Sequence, residues 1–292
     1  DACGEGVDEH GRQDAVLIIE EKIARLLMWL AVAVVVLVVA SILWTIFSRG
    51  MQSITWDMVS QLPHGGFFIS GEGGFLNATV GSLYIVGAAM LLGLAVSIPV
   101  TAYLNVYCRN HSRFSYLIRL TLDVLYGIPS IVYGAFAFLI MVASGLRPSL
   151  LAGILVTTML IIPIMVRSMD EVTRAVPRGL LESTYALGAT RWEVTCIVLR
   201  HTASGVATAT LLAVGRAIGE TAAVMFTAGF SDYIPTNLGQ QTATLPLAIF
   251  NLLTMPSAEV QDKAYAAAMV LTVIVLVLSL TGRWLAAKLK KS

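Results

Sequence analysis

Six long apolar stretches, separated by short segments that hold most of the charged residues, constrain this 292-residue chain more than any other feature. The first stretch is the clearest, because residues 26–47 contain no charged side chain. An α-helix of about 20 apolar residues crosses the hydrocarbon core of a bilayer. The chain is 57% hydrophobic and only 13% charged, with a mean hydropathy of +0.80, which is more apolar than a soluble globular domain. The sequence therefore predicts an all-α integral membrane protein.

Six transmembrane helices are predicted from the length and spacing of these stretches. The predicted spans are residues 24–47, 78–107, 117–143, 148–170, 202–230 and 264–287. The segment before them, residues 1–22, is polar and acidic and lacks the basic start and short apolar core of a signal peptide. We interpret it as a polar cytoplasmic N-terminal tail, followed by one transmembrane domain over residues 23–292.

The distribution of basic residues predicts the orientation. Cytoplasmic loops of membrane proteins carry an excess of Lys and Arg. With the N-terminus placed in the cytoplasm, 15 of the 19 basic residues fall on the inner side and 3 on the outer side, while Arg216 lies within a span. Both termini are therefore predicted to be cytoplasmic. The outer loop 231–263 contains a short apolar piece, residues 245–253, which is predicted to pack as a helix at the outer surface.

The longest inner loop, residues 167–201, contains the most informative local pattern. Pro177 favours a helix start, helix-forming residues run from Leu180 to Leu187, and Gly188 favours a helix end. A short helix is therefore predicted on the inner face, within a segment of about 178–192. Such a helix could rest on lipid headgroups, or it could dock into a groove on a soluble partner.

This segment resembles the EAA motif of ABC-importer permeases. Glu182, Ala186, Gly188 and Ala189 stand at matching positions, whereas Ser183 and Thr184 replace the usual alanines and Arg200 replaces a common proline. The resemblance implies that this segment is the coupling helix that contacts a separate ATPase. The residues implied to make that contact are Glu182, Ser183, Ala186, Leu187, Gly188 and Ala189.

The resemblance extends over roughly residues 75–285. The segments 127–134, 216–221 and 262–268 are similar to those of the phosphate-specific permease subfamily, and the chain length and the segment after Phe226 resemble its PstA-type subunit more than its PstC-type subunit. This likeness implies a type I ABC-importer permease in the plasma (inner) membrane. The implied partners are a second, PstC-like permease, a dimer of ATP-binding subunits that holds ATP and Mg²⁺, an extracytoplasmic phosphate-binding protein and membrane lipid.

Two charged residues lie inside the fifth predicted span. An arginine that faces lipid near the bilayer centre costs at least about 2.5–3.5 kcal/mol, so Arg216 is expected to face the protein interior or a wet cavity. Glu220 follows four residues later, on the same helical face. The two side chains could form a self-neutralising ion pair. Alternatively, Arg216, Glu220 and the adjacent Thr221 line the substrate path, where the guanidinium would donate paired hydrogen bonds to an oxyanion.

Proline and glycine residues predict bends and close packing within the spans. Pro129 in the third span predicts a kink, with Gly134 beside it, and a contribution to a gate is an alternative. Gly215 and Gly219 form a Gly-x-x-x-Gly pattern, for which helix packing is the favoured role. Asp123 is predicted to lie at the inner interface or to pair with an arginine of the inner loop.

The sequence contains no phosphate-binding loop of the Gly-x-x-x-x-Gly-Lys-[Ser/Thr] type and no metal-ligand or catalytic set. We therefore expect a non-catalytic transport subunit that binds no cofactor or nucleic acid itself and that relies on ATP hydrolysis in a partner chain. Three alternatives remain at this stage. The first is a permease for another cargo, such as molybdate, sulfate, a polyamine or an amino acid, among which the arginine within the fifth span favours an anion. The second is an ion-coupled secondary transporter, and the third is a membrane-embedded enzyme, which the missing catalytic set disfavours.

Overall fold

The computed structural model describes residues 5–64, 72–108 and 112–291 of the chain. The described residues form helices, most of them joined by short connections, together with one pair of two-residue antiparallel strands, β1 (Pro63–His64) and β2 (Glu72–Gly73). The connection between the helices that end at Thr227 and begin at Leu245 is longer. The helices are α1 (Glu5–Ser53), α2 (Trp56–Ser60), α3 (Leu76–Ala102), α4 (Arg113–Gly127), α5 (Ser130–Ala143), α6 (Leu150–Arg174), α7 (Arg178–Ala186), α8 (Arg191–His201), α9 (Ala203–Ile218), α10 (Ala222–Thr227), α11 (Leu245–Leu253) and α12 (Ala258–Lys291).

In the described part of the chain, four helical segments are long and apolar enough to cross a membrane. They are Glu20–Ser53, Leu76–Tyr107, Leu150–Arg174 and Ala258–Lys288, and they correspond to the first, second, fourth and sixth predicted spans. The second of these ends in a π-helical turn, Tyr103–Tyr107. Because α1 begins at Glu5, the part of the predicted tail from Glu5 onward is helical and continues into the first span.

The third predicted span bends where Pro129 was predicted to bend it, and the bend is a break between two helices. The helices α4 and α5 meet at an angle of 96°. Ile128 and Pro129 between them have extended backbone, with ψ of 128° and 138°. Proline lacks the amide hydrogen that a helix needs, and it disfavours helical geometry in the residue before it. Both effects act at this junction.

The fifth predicted span is also interrupted. Its first helix, α9, ends at Ile218, and α10 begins at Ala222 after a break that contains Gly219. At its other end α9 meets α8 near Thr202 at an angle of 66°. By length and composition, residues 5–64, 72–108 and 112–291 therefore contain four helices that could span a membrane, or up to six spans if each of the bent pairs α4–α5 and α8–α9 counts as one.

The centre of the bundle is formed by α3, α6 and α9. Ile161, Met165 and Met169 of α6 are fully buried against apolar residues of α3 and small residues of α9, including Ala213. Close approach depends on small residues, because a Cβ added at Gly93 of α3 would lie 3.0 Å from the sulfur of Met165. The central helices are therefore held by close van der Waals packing.

A second core lies at the end of the bundle where α11 packs, which we call the α11 end. Leu245 and Leu252 of α11 are buried against Phe75 and α12. The backbone N–H of Leu245 donates to Ser82 Oγ at 2.8 Å, and Asn77 Nδ2 donates to the carbonyl oxygen of Ser231 at 2.6 Å. The short helix predicted at residues 245–253 has those bounds in the structure, and most of its first turn is buried.

Candidate functional site

The helices α7 and α8 form a helical hairpin at the opposite end of the bundle, which we call the α7 end. Helix α7 begins after Pro177, as predicted, and ends at Leu187 and Gly188. Gly188 has φ of +83°, and its N–H donates to the carbonyl of Tyr185 at 2.9 Å. A left-handed backbone of this kind favours glycine, which explains why this residue ends the helix.

Helix α8 is started by a capping box. The side chain of Thr190 accepts a hydrogen bond from the N–H of Glu193, and the Glu193 carboxylate accepts one from the N–H of Thr190 at 2.7 Å. On the inner side of the hairpin, Val194 and Val198 are buried with Val176. The hairpin therefore has a defined shape and an apolar base.

The tip of the hairpin exposes large apolar side chains. Leu187 is 88% exposed and Trp192 is 68% exposed, and Tyr185 is also exposed. An open groove of about 590 Å³ lies between the two helices, and its lining includes Gly188 and Ala189. We call this surface the hairpin tip. The residues predicted to contact a partner lie at or beside it, and all are exposed except Ala189, which is partly buried: Glu182, Ser183, Ala186, Leu187, Gly188 and Ala189.

Arg216 lies in the last turn of α9, next to the break between α4 and α5. Its side chain is 49% exposed and lines a cavity of about 240 Å³, which we call the Arg216 cavity. The other residues of the lining are Leu125, Tyr126, Ile128, Tyr133, Leu160 and Ile164. The structure thus brings together the predicted arginine of the fifth span and the proline-containing segment of the third span.

Glu220 is paired with Arg216 although it lies beyond the end of α9. The distance from Arg216 Nη2 to Glu220 Oε2 is 3.5 Å, and the Glu220 side chain is only 2% exposed. The other carboxylate oxygen, Oε1, accepts a hydrogen bond from the N–H of Ala223 at 3.1 Å at the start of α10. Within the described part of the chain, Oε2 has no hydrogen-bond partner. Thr221, also predicted for the substrate path, lies in the break beside Glu220.

The break at Pro129 is stabilised locally. Without an N–H on Pro129, the carbonyl of Leu125 loses its helical partner, and the hydroxyl of Tyr133 donates to that carbonyl at 2.9 Å. Gly134 lies directly against α10, because an added Cβ would come within 2.7 Å of Ala223 Cα. Pro129 therefore ends α4, and Gly134 permits α5 to pack on α10.

Gly215 and Gly219 have no packing partner in the described part of the chain. A Cβ added at Gly215 would meet nothing within 4 Å, and at Gly219 it would meet only the carbonyl of Gly215, at 3.8 Å. The close helix approach predicted for this pair therefore does not occur among the described helices. The face of α9 that carries these glycines is open.

The structure also contains a buried ionic cluster that the sequence did not predict. Asp170 of α6, with a side chain 3% exposed, accepts hydrogen bonds from Arg119 of α4 and Asn105 of the π-turn, and it pairs with Arg174. We call these four residues the Asp170 cluster. An available signal was a polar Asn105 inside a predicted apolar span, since polar groups at membrane depth require partners.

A second ionic group lies on the exposed side of the same helices. Arg167 Nη1 is 3.3 Å from Asp123 Oδ1, and Arg167 Nε is 3.1 Å from Glu171 Oε1. The prediction that Asp123 pairs with an arginine of the inner loop is confirmed. All three side chains are well exposed, unlike those of Asp170 and Arg119, which are 3% and 12% exposed.

The apolar helices, the exposed hairpin and the charged cavity between them define a membrane transport subunit, and comparison with known proteins gives its family. The chain belongs to the family described as the binding-protein-dependent transport system inner membrane component, whose model matches residues 97–291. The predicted membership of an ABC-importer permease family is therefore confirmed. The family and the apolar helices place the chain in the inner membrane as a multi-pass protein.

Several curated relatives are similar over most of their length. The chain is 35% identical over 243 residues to the phosphate transport system permease protein PstA of Haemophilus influenzae, which covers 83% of this chain and 85% of that one. It is 32% identical over 259 residues to PstA of Yersinia pestis, with 85% of each chain covered. It is 30% identical over 291 residues to the probable ABC transporter permease protein YqgI of Bacillus subtilis, covering 94% of this chain and 97% of that one.

The fold is also found among solved structures. A chain of the inward-facing MetNI methionine ABC transporter superposes with a TM-score of 0.62 at 16% identity, and the match covers 74% of this chain and 95% of that one. At 16% sequence identity, this structural similarity establishes that the two chains share a fold.

Proposed function

We propose that this chain is the permease subunit of an ATP-driven importer of inorganic phosphate, that it forms part of the translocation path, and that a separate ATPase drives it. The observation that carries the proposal is Arg216, a half-exposed guanidinium facing a cavity with otherwise uncharged walls. The similarity to phosphate transport permeases supports phosphate as the cargo.

In this proposal Arg216 and Glu220 form an exchangeable site. A guanidinium binds a phosphate oxyanion through paired, charge-assisted hydrogen bonds. When cargo is absent, Glu220 Oε2 at 3.5 Å provides the counter-charge, so that the arginine is not left unpaired in an apolar setting. Phosphate entering the cavity would replace that weak contact. The site would thus accept an anion without retaining it.

The hairpin tip is proposed to dock on the ATPase. Leu187 and Trp192 would insert into an apolar groove of the partner, in the manner of a helix held by a few anchor residues. The same hairpin continues into α9, which begins at Ala203 and carries Arg216 in its last turn. A displacement of the hairpin would therefore be transmitted along a single helix to the cargo site.

We further propose type I importer architecture with six spans, counting the bent pairs as spans, and with the α7 end and both termini in the cytoplasm. The distribution of basic residues supports this orientation. The proposed partners are a second, PstC-like permease, a dimer of subunits that bind ATP and Mg²⁺, an extracytoplasmic phosphate-binding protein and surrounding lipid. The open face at Gly215 and Gly219 would suit the second permease.

Reconstitution tests this function directly. The chain is purified with the subunits that travel with it, placed in proteoliposomes with its binding protein, and assayed for uptake of radiolabelled phosphate with and without internal ATP. We expect ATP-dependent uptake that excess molybdate and sulfate do not inhibit. Uptake of either of those anions in preference to phosphate would contradict the assigned cargo, and uptake driven by an ion gradient without ATP would contradict the importer class.

A further inference from the structure

The Asp170 cluster joins the end of α6, which leads into the hairpin, to α4, one of the helices that border the Arg216 cavity. We propose that Asp170 and Arg119 are positioning residues: they fix α4 to α6, so that a movement of the hairpin at the end of α6 also moves the wall of the Arg216 cavity. This inference rests on the proposed function. It assigns a role in transport to residues that lie outside both the cargo site and the hairpin tip.

The segment that joins Asp170 to the hairpin is short. Asp170 lies in the last two turns of α6, which ends at Arg174, and α7 begins at Arg178. The linker is therefore three residues long, and Val176 within it is buried against Val194 and Val198 of α8. A short linker with a buried side chain transmits displacement instead of absorbing it.

Helix α4 joins Arg119 to the wall of the Arg216 cavity. Arg119 lies in the middle of this helix, and Leu125 and Tyr126 in its last turn line the Arg216 cavity. These positions are separated by six or seven residues of continuous helix, which is about 9–11 Å. A displacement of Arg119 therefore shifts the cavity wall, since α4 is rigid over this distance.

The contacts between the two sides are directional. Arg119 Nε donates to Asp170 Oδ2 at 2.9 Å, and Arg119 Nη2 donates to Asp170 Oδ1 at 3.1 Å. A two-point contact of this kind fixes orientation as well as distance. Arg119 Nη1 donates to the buried Ser115 at 2.6 Å, and Asn105 Nδ2 donates to Asp170 Oδ1 at 2.7 Å. Apolar surfaces can slide over one another, but this cluster cannot shift without breaking hydrogen bonds to the buried carboxylate of Asp170.

The exposed group on the same two helices supplies a matched control. Asp123 and Arg167 also connect α4 to α6, with one contact of 3.3 Å. Their side chains are 49% and 40% exposed, so water can replace the contact. Asp170→Asn and Asp123→Asn remove the same charge from the same interface. Only the first change affects a buried two-point contact.

Thiol labelling in the purified complex tests the inference without depending on the cargo. Tyr126→Cys places a reporter in the wall of the Arg216 cavity of a chain whose own cysteines are replaced by serine, and a second form keeps the native Cys196 of α8 as a reporter on the hairpin. Labelling by a maleimide is measured with and without ATP and vanadate. We expect the nucleotide to change the labelling rate at both reporters by about fivefold or more.

With Asp170→Asn, we expect the nucleotide still to change the labelling rate of Cys196 but no longer to change that of the cysteine at position 126. With Asp123→Asn, we expect the nucleotide to change both labelling rates as in the parent complex. If Asp170→Asn prevents assembly, Arg119→Lys decides, because it keeps the charge but loses the two-point contact, and an intermediate response is expected. A full response at position 126 in Asp170→Asn or Arg119→Lys would overturn the inference, as would its equal loss in Asp123→Asn. No response at either reporter in the parent complex would instead contradict the proposed ATPase coupling.

Discussion

Arg216 illustrates how much one side chain can determine in an apolar bundle. A guanidinium cannot lose its proton under ordinary conditions, so within a membrane it needs a counter-charge, water or an anion. The structure supplies Glu220 at 3.5 Å on one side and a cavity of about 240 Å³ on the other. The residue therefore has a partner at rest and space beside it for a ligand.

Replacing Arg216 by Gln should abolish phosphate uptake while the complex still assembles. Gln keeps a polar side chain of similar reach but removes the positive charge that attracts the anion. We expect a loss of at least about 100-fold in ATP-dependent uptake, which corresponds to roughly 2.7 kcal/mol. Arg147→Gln, in the turn between α5 and α6, is the matched control and should retain uptake. Uptake close to normal in the Arg216 variant would reduce the pair to a structural contact.

At the scale of single elements, Gly188 and Gly134 show two different reasons for a glycine. At position 188 the backbone conformation, with φ of +83°, favours glycine, although nothing lies within 4 Å of an added Cβ. Gly134 has ordinary helical geometry but has no space, because α10 lies against it. We therefore expect a substitution of Gly188 to affect association with the ATPase and a substitution of Gly134 to affect thermal stability.

Gly188→Asp should uncouple transport from ATP hydrolysis while the protein remains inserted in the membrane. The change places a charge at the apolar hairpin tip, where it would have to be desolvated on docking. Gly188→Asn is the control, because Asn has nearly the same size and also tolerates positive φ. We expect ATPase association in pull-down experiments to fall about tenfold or more for Asp only. Equal association of both variants would contradict the docking role.

Gly134→Ala should destabilise the bundle by about 1–3 kcal/mol, the range typical of overpacking. The added methyl group would lie 2.7 Å from Ala223 Cα, which belongs to backbone and cannot rotate away. Gly127→Ala, at the end of α4 with nothing within 4 Å, serves as the control. Thermal unfolding in detergent should show a lower midpoint for the first variant and little change for the second. The reverse order would be inconsistent with the packing described.

The sequence predicted elements better where a local backbone rule operates than where distant segments meet. The end of α7 at Gly188 and the bounds of α11 followed from glycine and proline rules. Pro129 predicted a bend in the third span, but neither the full break there nor the break at Gly219 was predicted. The two or three non-helical residues at each break do not interrupt the apolar stretch from which a span is recognised. The Asp170 cluster combines residues from the π-turn, α4 and α6, and no local pattern could bring Asn105, Arg119 and Asp170 together.

At the scale of the whole molecule, the proposed docking of the hairpin tip on an ATPase requires the α7 end to face the cytoplasm. The native Cys196 is exposed on α8 at the α7 end, and Asp232 is exposed between α10 and α11. In intact cells, a membrane-impermeant thiol reagent should label a cysteine introduced at position 232 and should reach Cys196 only after the membrane is opened. Labelling of Cys196 from outside would invert the topology and remove the hairpin tip from any cytoplasmic partner.

The bend between α8 and α9 near Thr202 has a mechanical consequence. Arg216 lies 14 residues along α9, so the helix acts as a lever arm of about 21 Å. A rotation of only about 5° at the fulcrum would carry the arginine roughly 2 Å at the far end. The Glu220 carboxylate is held by the N–H of Ala223 at the start of α10. An arc of that size, taken up at the break 219–221 between α9 and α10, would be enough to release the 3.5 Å contact between Arg216 and Glu220. A small tilt of the hairpin would thus be converted into the making or breaking of one ion pair beside the Arg216 cavity.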